Sequence, residues 1–133
     1  MNLSAEPSVY IGETGFKLRT EGGDDMERFE ELKERIDKFT KDRNWEQFHT
    51  PVNLAKSISI EAAELLECFQ WSDTEFDKEH LLEELSDVMN YCIQLSLVLD
   101  VDIIDCIHKK MDQNAVKYPI EKSYGSSEKY NKL

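Results

Sequence analysis

Two short acidic runs carry the residue types best suited to chemistry, Glu61-Ala62-Ala63-Glu64 and Glu84-Leu85-Ser86-Asp87. Carboxylates three residues apart share one face of a helix, with Cβ atoms roughly 5–6 Å apart, so each run offers a side-by-side pair. If the two helices lie antiparallel with axes about 8–10 Å apart, the four carboxylates converge on one point. Four such groups cannot all stay ionised without a cation between them. An all-oxygen donor set suits a hard divalent ion, Mg²⁺ with Mn²⁺ as its near substitute. The expected chemistry is that of a magnesium-dependent enzyme on a phosphate substrate. The plainer reading is a solvated acidic face. Glu67 falls six residues after Glu61 and can lean towards the site, whereas Glu83 is turned about 100° from Glu84 and is expected to face solvent.

Other groups keep company with the acids. Tyr91 follows Asp87 at a four-residue step, which puts a phenol one turn beyond the second pair, with Asn90 nearby. Trp45 and His49 precede the first acidic helix and Trp71 follows it. Tryptophans at helix edges commonly cover a core end, but their rings also stack on nucleobases. His80 and His108 read as surface or packing residues. Lys110, Asn114 and Lys117 recur at four- and three-residue steps, hence on one helical face. That face is either a phosphate clamp or a wet surface whose lysines complement a helix C-terminus.

The elements that must position these residues follow from periodicity and caps. Residues 1–23 have no clear apolar period and read as a flexible N-terminal arm. A first helix is expected to start near Asp24 or Asp25, with Phe29, Leu32, Ile36 and Phe39 as its apolar stripe. Thr50-Pro51 is a cap followed by a first-turn proline, so a second helix starts there and runs to about Gln70, with Leu54, Ile58, Leu65 and Phe69 on its core face. A third helix covers about 79–99, with Leu81, Leu85, Val88, Cys92, Leu95 and Leu99 inward. Asp102 caps a fourth, which Pro119 stops. The short link between the last two favours antiparallel neighbours. The remainder, 120–133, reads as a polar tail. No strand pattern appears, so the class is all-α, with one catalytic domain over 24–119.

Composition narrows the partners. The 133 residues carry a net charge of −12, which repels a nucleic-acid polymer or an anionic membrane surface. A small polyphosphate still binds where metal ions supply the positive charge. With no long apolar run and no signal-peptide start, the chain is expected to be soluble and cytoplasmic. Cys68, Cys92 and Cys106 are odd in number and widely spaced, and read as buried thiols.

The runs Arg43-Asn44-Trp45-Glu46-Gln47-Phe48-His49, Asn53-Leu54, Glu61-Ala62-Ala63-Glu64-Leu65, Phe69-Gln70-Trp71, Glu84-Leu85-Ser86-Asp87-Val88 through Tyr91, Lys110-Met111 through Asn114, and Tyr118-Pro119 together resemble the MazG-like nucleoside triphosphate pyrophosphohydrolases, specifically their short single-domain branch. The resemblance covers about residues 39–130. It implies a four-helix bundle-like MazG-type domain, assembled as a homodimer or homotetramer with the site partly built across subunits. It also implies hydrolysis of a (deoxy)nucleoside triphosphate, of dCTP type, to the monophosphate and pyrophosphate, in nucleotide-pool house-cleaning. Glu61, Glu64, Glu84 and Asp87 match the family's Mg²⁺ ligands, with Glu61 or Glu64 as the catalytic base. Trp45, His49, Asn53, Trp71 and Tyr91 match residues around base and sugar, and Lys110 and Asn114 match the helix that meets phosphates or sugar. Ser126-Ser127-Glu128-Lys129-Tyr130 resembles a tail that closes over the site, except that Glu128 stands where the family often has a basic residue. Two alternatives stay open: a related pyrophosphohydrolase of phosphoribosyl-ATP or a modified triphosphate, and a non-catalytic helical nucleotide-binding or assembly module. A di-iron bundle is not among them, since neither acidic motif contains Glu-x-x-His.

Overall fold

A computed structural model describes residues 25–132. The arm at 1–23 and the candidate cap Asp24 lie outside the described residues. The first helix, α1 (Asp25–Asp42), opens on Asp25 and Glu27 and closes on Lys41, charges that complement its dipole. A looped segment holding Asn44 at φ 53° then leads into α2 (Pro51–Glu67). Thr50 caps α2 as expected, its hydroxyl accepting from the Asn53 amide. The helix ends three residues before the expected Gln70, because 68–70 tighten into turns in which Phe69 N–H donates to Leu66 and Gln70 N–H to Glu67.

The third helix, α3 (Lys78–Val98), is capped by Asp77, which accepts from the backbone of Glu79 and His80. The fourth, α4 (Ile103–Lys117), is capped by Asp102, and Pro119 follows its end. Between them Asp100 adopts φ 52°, a left-handed conformation that a short polar side chain tolerates. Residues 120–123 add a single turn, α5 (Ile120–Ser123), and Tyr130–Lys132 form a 3-10 turn, neither announced by apolar periodicity. No strand occurs among the described residues, and the fold is all-α.

α2 and α3 form the principal packed pair, and α1 lies against α3. His49, just before α2, shares a cavity with Leu97 and Val98 at the end of α3, whereas Glu61 meets Glu84 and Asp87. The two helices therefore run antiparallel. α4 makes no comparable contact with any other helix, so the expected antiparallel packing of α4 on α3 does not occur within one chain.

The core is correspondingly small. Leu54 and Ile93 are the buried hydrophobic residues among those described. Leu32, Phe39, Leu85 and Leu99, expected inward, are exposed, as are Leu82, Met89, Ile107 and Met111. The reason is visible in α3, which carries apolar residues nearly all round. Its contacts with α2 and α1 leave part of that apolar surface uncovered within the described residues. The cysteines also depart from expectation: Cys68 and Cys92 are half-buried and Cys106 is exposed. No helix among the described residues is long and apolar enough to cross a membrane.

Candidate metal centre

α2 supplies Glu61 from its C-terminal half, and α3 supplies Glu84 and Asp87 from its second and third turns. The antiparallel pairing brings one carboxylate oxygen from each of these three within 4.8 Å of the others. Glu84 is buried, Glu61 half-buried and Asp87 exposed, so the cluster grades from the helix interface outward to solvent. Glu64 is exposed and stands outside this trio, though close enough for its charge to act on Glu61.

Two observations fit a hard cation. Glu84 Oε2 is buried with no hydrogen-bond partner, an orphan that the protein otherwise leaves at considerable cost. Burial, followed by the charges of Glu64, Asp87 and Glu84, pushes the Glu61 carboxyl above its ordinary value of 4.5. The donors are all oxygen, the chemistry of Mg²⁺ or Mn²⁺ rather than of a soft metal.

The raised affinity of Glu61 for a proton has a consequence for stability. The folded state binds that proton more tightly than the unfolded chain does. The metal-free protein is therefore favoured at low pH and loses that contribution as pH rises from about 4.5 through the raised value. A divalent cation held by the trio would take over where the proton leaves. We expect Mg²⁺ or Mn²⁺ at ten- to hundredfold excess over Kd to raise Tm by roughly 3–8 °C near pH 7.5 and by much less near pH 5. Differential scanning fluorimetry with a salt-matched control measures it. An equal rise with monovalent salt would indicate screening of a wet acidic face.

His80, read from the sequence as a surface or packing residue, is exposed and neighbours the cluster. Its Nδ1 lies 3.4 Å from Glu84 Oε1 and 3.9 Å from Glu83. Its four-residue spacing from Glu84 on one helix face was the available signal. Glu83 itself points to solvent as expected, with its side chain 78% exposed.

The other candidates are dispersed. Trp45 stacks at an angle against His49, with ring centroids 6.3 Å apart, and meets Phe39 edge-on at 5.9 Å. The Asn53 side chain donates to the Phe48 carbonyl at 3.0 Å and so stitches the loop to α2. Tyr91 is half-buried on α3, four residues beyond Asp87. Trp71 is 90% exposed just past the turns that end α2. Lys110 is exposed and Asn114 half-buried on α4, away from the tightly packed helix pair. Tyr130 packs edge-on against Tyr118 at 6.0 Å, beneath Lys117 Nζ, which fastens the tail to the end of α4.

Comparison with known proteins adds to this geometry. The profile of the MazG-like family matches residues 56–133. The dCTP pyrophosphatase 1 of Mus musculus is 40% identical over 113 residues, covering 78% of this chain and 66% of that protein. The Homo sapiens protein of the same name is 37% identical with the same coverage. The chain thus spans about two thirds, 66%, of the length of these curated relatives. Among solved structures, a pyrophosphatase from Archaeoglobus fulgidus superimposes with a TM-score of 0.66 at 37% identity, over 77% of this chain and 99% of that one.

Proposed function

The chain belongs to the MazG-like family, and on that footing we propose that it is a Mg²⁺-dependent pyrophosphohydrolase of a deoxynucleoside triphosphate of dCTP type. The observation that carries the reading is the trio Glu61, Glu84 and Asp87 within 4.8 Å, with one oxygen of Glu84 buried and unpartnered. A divalent cation held there supplies charge neutralisation for the triphosphate and acidifies water. Glu84 and Asp87 would hold it from α3 and Glu61 from α2, with Glu64, one turn further along α2, joining them on binding.

The protein's own part in the reaction is proton handling and alignment. Water attacks the α-phosphorus, the bond to the bridging oxygen breaks, and pyrophosphate leaves with the monophosphate remaining. Glu61 or Glu64 is the group suited to take the proton of that water, through a carboxylate oxygen left free of the cation. In this reading Trp45, His49, Asn53, Trp71 and Tyr91 surround base and sugar, and Lys110 and Asn114 meet phosphates or sugar. The dispersal of Trp71, Lys110 and Asn114 supports a site completed by a second copy, in a homodimer or homotetramer. Exposed apolar residues on α4 and on the outer faces of α2 and α3 supply the surface for it.

The test is product identity. Each triphosphate is incubated separately with Mg²⁺, and the released species resolved by ³¹P NMR. Pyrophosphate and monophosphate are expected, with dCTP among the best substrates. Orthophosphate release would refute attack at the α-phosphorus.

A further inference from the structure

Trp45 is a large ring in a short loop, yet it is held from several directions. Asn44, at φ 53°, is the left-handed residue after the end of α1, a conformation that a short polar side chain tolerates. Its N–H donates to the Lys41 carbonyl at 2.9 Å, and the Trp45 N–H reaches back to the Thr40 carbonyl at 3.1 Å. These two bonds are the Schellman pattern, which frequently carries an apolar contact between the residue at the position of Trp45 and one in the preceding turn. Phe39 supplies that contact, with ring centroids 5.9 Å apart and planes at 74°. The Trp45 carbonyl in turn accepts from the N–H groups of Phe48 and His49, so its backbone is bonded on both sides.

Arg43 ties the arrangement together. Its guanidinium carbon stands 3.5 Å from the Phe39 ring centroid and 5.9 Å from that of Trp45. Its Nη1 donates to the Phe39 carbonyl at 3.0 Å. The chain has 28 acidic residues, but Arg43 forms no salt bridge among the described residues. The cation is committed to two rings and a carbonyl instead. A planar guanidinium stacks on one ring while its N–H groups reach sideways, which an ammonium on a flexible stem does not reproduce.

Trp45 nonetheless stays 43% exposed. A ring restrained by its neighbours with that much surface open is arranged for stacking before a ligand arrives. Ordering a free side chain on binding lowers affinity by roughly three- to tenfold, a loss that a ring already fixed avoids.

We propose that Arg43 is a positioning residue: by clamping Phe39 it fixes the Trp45 ring as a preset stacking surface for the nucleobase, without itself touching the substrate. This rests on the pyrophosphohydrolase reading for the identity of the ligand, and the experiment separates the two. Arg43→Ala removes the clamp, and Arg43→Lys keeps its charge without the plane. Both are expected to raise KM for dCTP roughly three- to tenfold with kcat unchanged, the signature of lost uniform binding, and to weaken calorimetric binding of dCMP by the same factor. In a Trp71→Phe background, which leaves Trp45 as the sole tryptophan, time-resolved fluorescence anisotropy of the ligand-free protein is expected to show faster ring motion in both variants.

A wild-type KM in Arg43→Lys beside a raised KM in Arg43→Ala would mean that charge acts directly on the triphosphate, and overturns the proposal. Unchanged ring motion in both variants overturns it too, as does a fall in kcat at constant KM, which partial loss of folding would give. If no triphosphate is hydrolysed but wild type binds dCMP and both variants bind it more weakly, the pyrophosphohydrolase reading falls and the role of Arg43 stands. If KM and dCMP binding are alike in all three proteins, or wild type neither hydrolyses dCTP nor binds dCMP, the role of Arg43 falls.

Discussion

Asp87→Asn and Glu84→Gln are each expected to lower kcat by at least about 10³-fold, with the far-ultraviolet circular dichroism unchanged. Removing a charged ligand forfeits several kcal/mol of transition-state charge stabilisation, and each 1.4 kcal/mol is a factor of ten. Glu84 carries the further penalty that its buried oxygen loses the cation that would satisfy it. Glu64→Gln is expected to behave similarly if this exposed carboxylate joins the trio once the cation is bound. Glu67→Gln and Glu83→Gln should retain most activity, Glu83 because its side chain faces solvent. Pyrophosphate release at saturating Mg²⁺ measures all five. Retained Mg²⁺-dependent release in both Asp87→Asn and Glu84→Gln would remove the basis for the metal centre.

The second large effect concerns α4. Ile107 and Met111 are four residues apart, 55% and 59% exposed, on a helix with no substantial packing inside its own chain. Buried against a second copy, each would contribute roughly 1.5–3 kcal/mol. If the proposed homo-oligomer forms through α4, the double variant Ile107→Asp with Met111→Asp is expected to yield monomers and to abolish the proposed turnover. Light scattering coupled to size exclusion measures the first and pyrophosphate release the second. An assembly of unchanged mass in the double variant would mean that α4 is not its seam.

What could be read from the chain itself followed a physical division. Local signals were legible. Thr50-Pro51, Asp102 and Pro119 fix helix ends through short-range hydrogen bonding and sterics, and Glu61, Glu84 and Asp87 declare themselves through three-residue spacing. Tertiary consequences were less so. On α3, apolar residues occur on several faces, so periodicity pointed to Leu85 and Leu99 where packing chose Ile93. Whether α4 packs on its own chain could not follow from the length of its link. His80 is exposed as a surface residue should be, and its nearness to the acids was not legible because it depends on the rotamers that bring its ring to 3.4 Å from Glu84.

The antiparallel pairing of α2 with α3 also bears on how the protein folds. All three clustered carboxylates lie within one contiguous helical hairpin, so they meet through contacts of modest sequence separation. Such contacts close early, because short loops cost little entropy. The acids are then expected to be driven together before the proposed pairing of α4 with a second copy, so that their mutual repulsion falls on the folding barrier as well as on the finished state. Divalent cation should then accelerate refolding as well as slow unfolding, which would make the ion a participant in the protein's assembly before it is one in its chemistry.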